Sequence, residues 1–156
     1  MNNITWYNIQ DMIKNNQNFD YIINDIDKTI KENDLNINIY NNLTKQLAEY
    51  KKNIIAIYKK NNLIAFAIIS ENVISNIYIN KKRFYKKYFD ILIDESIEYL
   101  DNPRPIIILS KDDVIKYINY ILNHNWNAAA ITKNNKIIFN DKSKMEKQII
   151  KEYRKF

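Results

Sequence analysis

Residues 53–80 read NIIAIYKKNNLIAFAIISENVISNIYIN, and this stretch decides the fold class. Its apolar runs are rich in isoleucine, with alanine, tyrosine and phenylalanine between, and are bounded by Asn61-Asn62 and Glu71-Asn72. Short β-branched and aromatic runs bounded by turn residues read as strands. Three strands follow in succession, over 53–60, 63–70 and 73–80. The first two form a hairpin around Asn61-Asn62, because asparagine tolerates the left-handed conformation that a tight turn requires.

On either side of this stretch the period changes. Upstream, NITWYNI (3–9) reads as a short strand. Phe19, Ile22, Ile23, Ile26 and Ile30 then recur at helical spacing, as do Tyr40, Leu43, Leu47 and Tyr50. Downstream, a long helix runs from Arg83 to Leu100, with Tyr85, Tyr88, Phe89, Leu92, Ile93, Ser96, Ile97 and Leu100 on one face. DNPRP (101–105) stops it, since proline cannot continue a helix. PIIILS (105–110) is an unbroken apolar run, as in a strand buried on both faces. Ser110 caps the next helix, with Asp113 three residues on in a capping-box position. That helix carries the stripe Val114, Tyr117, Ile118, Ile121 and Leu122. WNAAAITK (126–133) and KIIFN (136–140) pair around Asn134-Asn135 as a final hairpin. Hairpins followed by a strand–helix–strand crossover imply an α/β (α+β) domain with a mixed, mostly antiparallel sheet, its 73–80 strand near the centre.

At 156 residues the chain is the size of one domain, by the usual measure of about 100–200 residues. Residues 1–141 form that domain. Residues 142–156 are expected to add a basic amphipathic helix, with Met145, Ile149, Tyr153 and Phe156 on its apolar side. That side would pack on the domain or on a second copy, giving a homodimer. The absence of cysteine excludes disulfides and thiolate chemistry, and the single histidine, His124, excludes a histidine-cluster metal site. No run of about 18 apolar residues is present to span a membrane, and the polar start lacks a signal-peptide core, so the expected place is the cytoplasm. Glycine is absent where average usage of ~7% would give about eleven, and isoleucine, asparagine, lysine and tyrosine are abundant, as AT-rich codons produce. The net charge of +6 is uneven: the last fifteen residues hold six basic and two acidic side chains, and a second basic cluster is Lys81-Lys82-Arg83 with Lys86-Lys87.

The order of elements from about residue 3 to 140 resembles that of the GNAT N-acetyltransferases. In that family a strand runs into an Arg–Gly–x–Gly–x–Gly/Ala loop and a leucine-led helix. Here the stretch is I77-Y78-I79-N80-K81-K82-R83-F84-Y85-K86-K87-Y88-F89-D90-I91-L92. Arg83 takes the arginine's place and Ile91-Leu92 the leucines', while Phe84, Lys86 and Tyr88 stand where the glycines belong. The family's late helix ends Tyr–x–x–x–Gly–Phe; here it ends Y120-I121-L122-N123-H124-N125-W126, with Asn125-Trp126 for Gly–Phe and a tyrosine one residue early. The resemblance implies acetyl-CoA as acyl donor, an amine of a small molecule or protein as acceptor, and no metal. It assigns acetyl-CoA to Ile77, Tyr78, Ile79, Arg83, Phe84, Tyr85, Lys86, Lys87 and Tyr88, with the pyrophosphate on backbone N–H groups at the helix start. It makes the late-helix tyrosine the general acid, with Tyr120 and Tyr117 the local options and Tyr120 the candidate, and Glu71, just before the central strand, the candidate base.

Each assignment has a plainer counterpart. Tyr117 lies on an apolar stripe and reads as core. Glu71 also fits a solvated turn, and Asp94, Glu95 and Glu98 a solvated helix face. The glycine-free loop leaves two outcomes open, a working cofactor loop of different shape or a catalytically silent GNAT-fold binding module. Nucleic acid is a third partner class, since KKRFYKKYF interleaves cations and aromatics; against it, Tyr85, Tyr88 and Phe89 fit the buried stripe and are not free to stack.

Overall fold

The computed structural model describes residues 4–35, 37, 43–133 and 135–140. Seven strands, β1 (Ile4–Asn8), β2 (Lys52–Lys59), β3 (Asn62–Ser70), β4 (Val73–Ile79), β5 (Ile106–Ser110), β6 (Asn127–Ile131) and β7 (Lys136–Asn140), form one sheet in the order β1-β2-β3-β4-β5-β7-β6. Among the described residues only the β4–β5 pair is parallel. The mixed, mostly antiparallel sheet expected from residues 53–80 is present, with β4 fourth of seven.

Helices cover both faces: α1 (Ile9–Lys14), α2 (Asp20–Glu32) and α3 (Leu43–Ala48) on one, α4 (Tyr85–Leu100) and α5 (Lys111–Asn123) on the other. This explains why β2 and β3 read as continuous apolar runs. Alternate residues point to opposite faces of a sheet. Ile55, Ile57, Ala65 and Ala67 meet Phe89, Leu92 and Tyr117 beneath α4 and α5. Ile54, Ala56, Phe66 and Ile68 meet Ile22, Ile26 and Leu47 beneath α2 and α3. Both parities are buried, so from Ile54 to Ile57 and from Ile64 to Ile69 both are apolar. Each such large side chain contributes about 1.5–3 kcal/mol by leaving water.

At the corner where β1 enters α1, buried amides replace apolar packing. Asn53 Oδ1 accepts from the N–H groups of Gln10 (3.0 Å) and Ile54 (2.8 Å), and its Nδ2 donates to Asn8 Oδ1 (2.9 Å). Gln10 Nε2 donates to the carbonyls of Leu47 (2.8 Å) and Lys52 (2.7 Å). These bonds tie α1 to α3 and β2.

Several local readings change. The hairpin turn is Lys60-Asn61, not Asn61-Asn62: Lys59 pairs with Asn62, and Lys60 takes the left-handed conformation at φ 56°. A register shift between Ile57 and Tyr58, where β3 holds one extra residue, slides the turn by one position. Helix α1 has no counterpart in the sequence reading; Asn8 caps it by accepting from the Asp11 N–H. Tyr50 lies beyond α3 with φ 61° rather than on its face. The long helix starts two residues late, after a 3-10 turn over Lys82–Phe84. It stops at Asp101, a left-handed cap at φ 50°, before Pro103 is reached. Tyr40, Asn134 and the tail helix expected over 142–156 lie outside the described residues. Among the described residues no helix is long and apolar enough to cross a membrane.

Candidate active site

The centre of the sheet is open. Strands β4 and β5 pair only through Val73–Ile106 and Ile74–Ile107, and the ladder ends there. The cause lies in the next residue. On the other side of β4, Ile69 pairs with Ile74 and Ile68 with Asn76, so Ser75 is an extra residue, a bulge. Bulges bend a strand and end its pairing. Ser75 Oγ donates to the Ile68 carbonyl at 3.1 Å. Beyond the bulge β4 leaves β5 and one edge of its backbone faces a gap. The N–H of Ile79 points into that gap, and strand alternation places Ile77 on the same edge.

Two helices begin at the mouth of the gap, one after each parting strand, and their first turns are chemically opposite. Helix α4 has Phe84 at its N-cap with no side-chain cap and no acidic residue in its first turn. Around it stand Lys81, Lys82, Arg83, Lys86 and Lys87, all exposed and none ion-paired among the described residues. The Arg83 guanidinium lies 4.7 Å from the centre of the Phe84 ring, and the Lys59 ammonium reaches the same ring at 5.8 Å. The Phe84 ring packs at 5.5 Å, tilted by 44°, on that of Tyr88, which is buried. Both bulky residues at glycine positions thus turn towards the core rather than over the helix start. No residue from Asn80 to Tyr88 has a positive φ, so the 3-10 turn makes this connection without needing glycine.

Helix α5 is the reverse. Ser110 Oγ caps it, accepting from the Asp113 N–H at 3.3 Å, and Asp112 and Asp113 occupy its first turn. Burial pushes the Asp113 carboxyl above the usual carboxylate range, against the smaller opposing effects of Lys116 and the Ser110 hydroxyl. One turn on, Tyr117 is buried, and its Oη accepts from the Ile79 N–H at 3.1 Å. Its own proton therefore remains available. Burial first, then the charge of Asp113, pushes the Tyr117 hydroxyl further above its ordinary value, so it is protonated at neutral pH. Two cavities of about 200 and 320 Å³ adjoin here, and both are bordered by Ile37, Ser110 and Asp113. The smaller adds Asp34, Asp112 and Tyr117; the larger adds Ser75, Asn76 and Lys136.

No protein-family model matches the chain, and no curated protein matches it by sequence. Solved structures do. The N-acetyltransferase PseH of Campylobacter jejuni superposes with a TM-score of 0.55 at 14% identity, over 90% of this chain and 99% of that one. The chain has the GNAT fold. PseH in complex with acetyl coenzyme A superposes equally well, at 0.55 and 12% identity over the same 90% and 99%. A single-site mutant of the spermidine N-acetyltransferase SpeG of Vibrio cholerae gives 0.57 at 12% identity over 88% and 91%. At these identities the likeness is one of fold.

Within this GNAT fold the sequence-derived site residues divide. Ile77, Tyr78 and Ile79 lie on β4 at the gap, and Arg83 to Tyr88 form the turn and first turn of α4. Asn125 replaces the late glycine with φ 69°, and Trp126 is buried, its Nε1 donating to the Pro105 carbonyl at 2.7 Å. Tyr120 packs its ring on Phe89 at 5.8 Å and borders neither cavity. Glu71 is exposed in the β3–β4 turn, at the closed end of the gap; the strand from Val73 to Ile79 separates it from Ile79 by about 20 Å. His124 Nε2 lies 2.7 Å from Asp90 and links α5 to α4. Tyr117 is core, as its stripe implied, and Asp113, read from the sequence only as a capping position, borders both cavities. Their i, i+4 spacing directly after a buried strand at a parallel pair was the available signal, since ligands gather at the carboxyl ends of such strands.

Proposed function

We propose that the protein is an N-acyltransferase that moves an acetyl group from acetyl-CoA to a primary amine, with its chemistry at the gap between β4 and β5. The observation that carries this is the pair of opposed helix starts. An uncapped, cation-ringed N-terminus suits a pyrophosphate, through backbone N–H groups of residues 85–88 and the charges of Lys81, Lys82, Lys86 and Lys87. An acidic N-terminus with Asp34, Asp112 and Asp113 against Lys116 suits a protonated amine.

Acetyl-CoA supplies a thioester carbonyl for attack. Asp113 takes the ammonium proton, through water if the amine stands off, leaving a nucleophilic nitrogen. An N–H on the free edge of β4 faces the developing oxyanion. As the C–N bond forms and the C–S bond breaks, Tyr117 gives its proton to the leaving thiolate, and the second proton lost by the acylated nitrogen restores the tyrosine, directly or through water. The test measures release of the CoA thiol in the presence of a panel of primary amines, together with melting temperature. Acetyl-CoA at a hundredfold excess over its Kd should add about 2.7 kcal/mol of stability. No stabilisation by millimolar acetyl-CoA removes this reading.

One observation favours a second reading, a catalytically silent GNAT-fold module. Tyr117 Oη already holds the Ile79 N–H, a donor that a ligand lying along β4 would use. If the hydroxyl blocks the gap, Tyr117→Phe raises the affinity for acetyl-CoA. If it serves as the acid, the same change leaves binding intact and lowers turnover.

A further inference from the structure

The two cavities that adjoin at Ser110 and Asp113 carry opposite charge. In the smaller, of about 200 Å³, Asp34, Asp112 and Asp113 stand against one cation, Lys116. In the larger, of about 320 Å³, two cations, Lys52 and Lys136, stand against one acid, the shared Asp113. Neither lysine is ion-paired among the described residues.

The larger cavity is built on one face of the sheet. Residues paired across an antiparallel ladder share a face, and successive residues along a strand alternate between faces. Ile54 and Ile68 belong to the core beneath α2 and α3. Lys52 lies two residues before Ile54 and its partner Ser70 two after Ile68, so both lie on that face. Asn76 pairs with Ile68 and joins them. On β5, Ile107 and Leu109 point beneath α4 and α5, which returns Ser110 and its partner Lys136 to the first face. A row of polar side chains therefore crosses the open centre of the sheet from one lysine to the other. None of the row is buried.

The row is also rich in donors. Ser110 Oγ accepts from the Asp113 N–H, which leaves its hydroxyl proton to give. Asn76 turns its Oδ1 to Ser75 Oγ at 3.2 Å, which leaves its Nδ2 unpaired among the described residues. Hydroxyl, amide and two ammonium groups are all donors, and the group that complements them is an oxyanion. Since the cavities share a wall at Asp113, one molecule spanning them would carry a cation into the smaller and an oxyanion into the larger.

We propose that the acceptor amine also carries an oxyanion, a carboxylate or a phosphate-type group, held between Lys52 and Lys136 while its ammonium meets Asp113. This deepens the acyl-transfer reading of the gap and rests on it. The experiment titrates ¹⁵N-labelled protein with 4-aminobutyrate and with n-butylamine, the same chain without the carboxylate, and follows the side-chain amide of Asn76. The expected result is a saturable shift with 4-aminobutyrate and binding about tenfold weaker with n-butylamine, as losing partners for two partly exposed charges does. In the same titration 3-aminopropylphosphonate separates the two oxyanions, the tighter ligand naming the group. The double variant Lys52→Gln/Lys136→Gln should bring 4-aminobutyrate down to the affinity of n-butylamine. Release of the CoA thiol with the same amines tells this proposal from the reading beneath it. Turnover with equal kcat/KM for 4-aminobutyrate and n-butylamine would keep acyl transfer and overturn the oxyanion. A lysine-dependent preference in binding, with no thiol released, would keep the oxyanion site and remove acyl transfer. No saturable shift of Asn76 by either anionic amine up to about 10 mM would overturn the proposal. So would a preference that survives in the double variant.

Discussion

Helices α4 and α5 begin side by side, each directly after a strand that turns away from its neighbour, yet their first turns are opposites. The start of α5 closes itself: Ser110 caps it and Asp112 and Asp113 answer its positive end. The start of α4 leaves its N–H groups without a side-chain cap and adds cations where a helix N-terminus favours anions. An arrangement that forgoes about 0.5–2 kcal/mol of capping and sets like charges against a dipole is poor design for stability alone. It is consistent with an anion supplied from outside. On the proposed reading the same geometry serves two tasks, one turn finished by the chain and the other left to a ligand.

The sharpest way to break this contrast is to remove the acid from α5. Asp113→Asn should lower kcat for acetyl transfer by about 10²–10⁴-fold, the usual worth of a general base, with little change in acetyl-CoA affinity. A proportionate loss of cofactor binding would show that the two helix starts do not divide the work. Reversing charge at the other start should do the converse. Lys86→Glu/Lys87→Glu should weaken acetyl-CoA about 30-fold at low salt, from two reversed charges at ~1 kcal/mol each near a helix N-terminus. Raising ionic strength should shrink the difference, since exposed charges are screened within about 10 Å at 0.1 M. Calorimetry at two salt concentrations reads both effects.

A smaller change separates cap from charge. Ser110→Ala removes the hydroxyl that receives the Asp113 N–H and should cost about 1 kcal/mol of stability. For a domain of this size that is about 2–4 °C in melting temperature. No such loss should follow a serine or alanine exchange at Lys86, because the start of α4 has no cap to lose.

How much of this was legible depends on which physical signal each feature carries. The sheet was legible because β2 and β3 are buried on both faces and therefore apolar at both parities. The stop after the late helix was legible because Asn125 does what glycine does, at φ 69°. The hairpin turn was misread because the left-handed position fell to Lys60, a residue with no turn signature, after a bulge that period-two reading does not see. Tyr117 was read correctly as core, but helical periodicity records which side is buried, not that the buried hydroxyl meets the Ile79 N–H. Asp113 was visible as a cap residue, but its burial comes from β4 and the α2–α3 region, far away in sequence. The opposed helix starts lie between these cases: KKRFYKK and SKDD are plain in the sequence, while their adjacency is a product of the parallel pair.

The misread turn gives a further test of where the cofactor charge resides. Lys60→Gly relieves a left-handed non-glycine residue and should stabilise by about 0.4–1 kcal/mol. It also removes a cation one residue from Lys59, which lies over Phe84. Unchanged acetyl-CoA affinity would place the binding charge in the loop and first turn of α4; a marked loss would extend the site onto the β2–β3 hairpin.

The smallest expected effect concerns the pH dependence of stability at Asp113. Burial raises its folded carboxyl above the unfolded value of about 3.9. Between these two values the folded state binds more protons than the unfolded state, so stability falls as pH rises through that window. Asparagine is neutral throughout. Below the unfolded value the wild type and Asp113→Asn should therefore melt alike, and the variant should gain a small advantage that builds up between the unfolded and the folded value and then stays constant to neutrality. The α5 dipole alone predicts the opposite, since a charged carboxylate in the first turn is stabilising there. Burial is the first cause acting on the Asp113 carboxyl, ahead of Lys116 and the Ser110 hydroxyl. Melting curves of the two proteins from pH 3 to 7 decide between them. If the wild type gains on the variant as pH rises, Asp113 is a helix-start stabiliser; if it loses, the carboxylate is held at the gap at a cost to the fold, as a base would be.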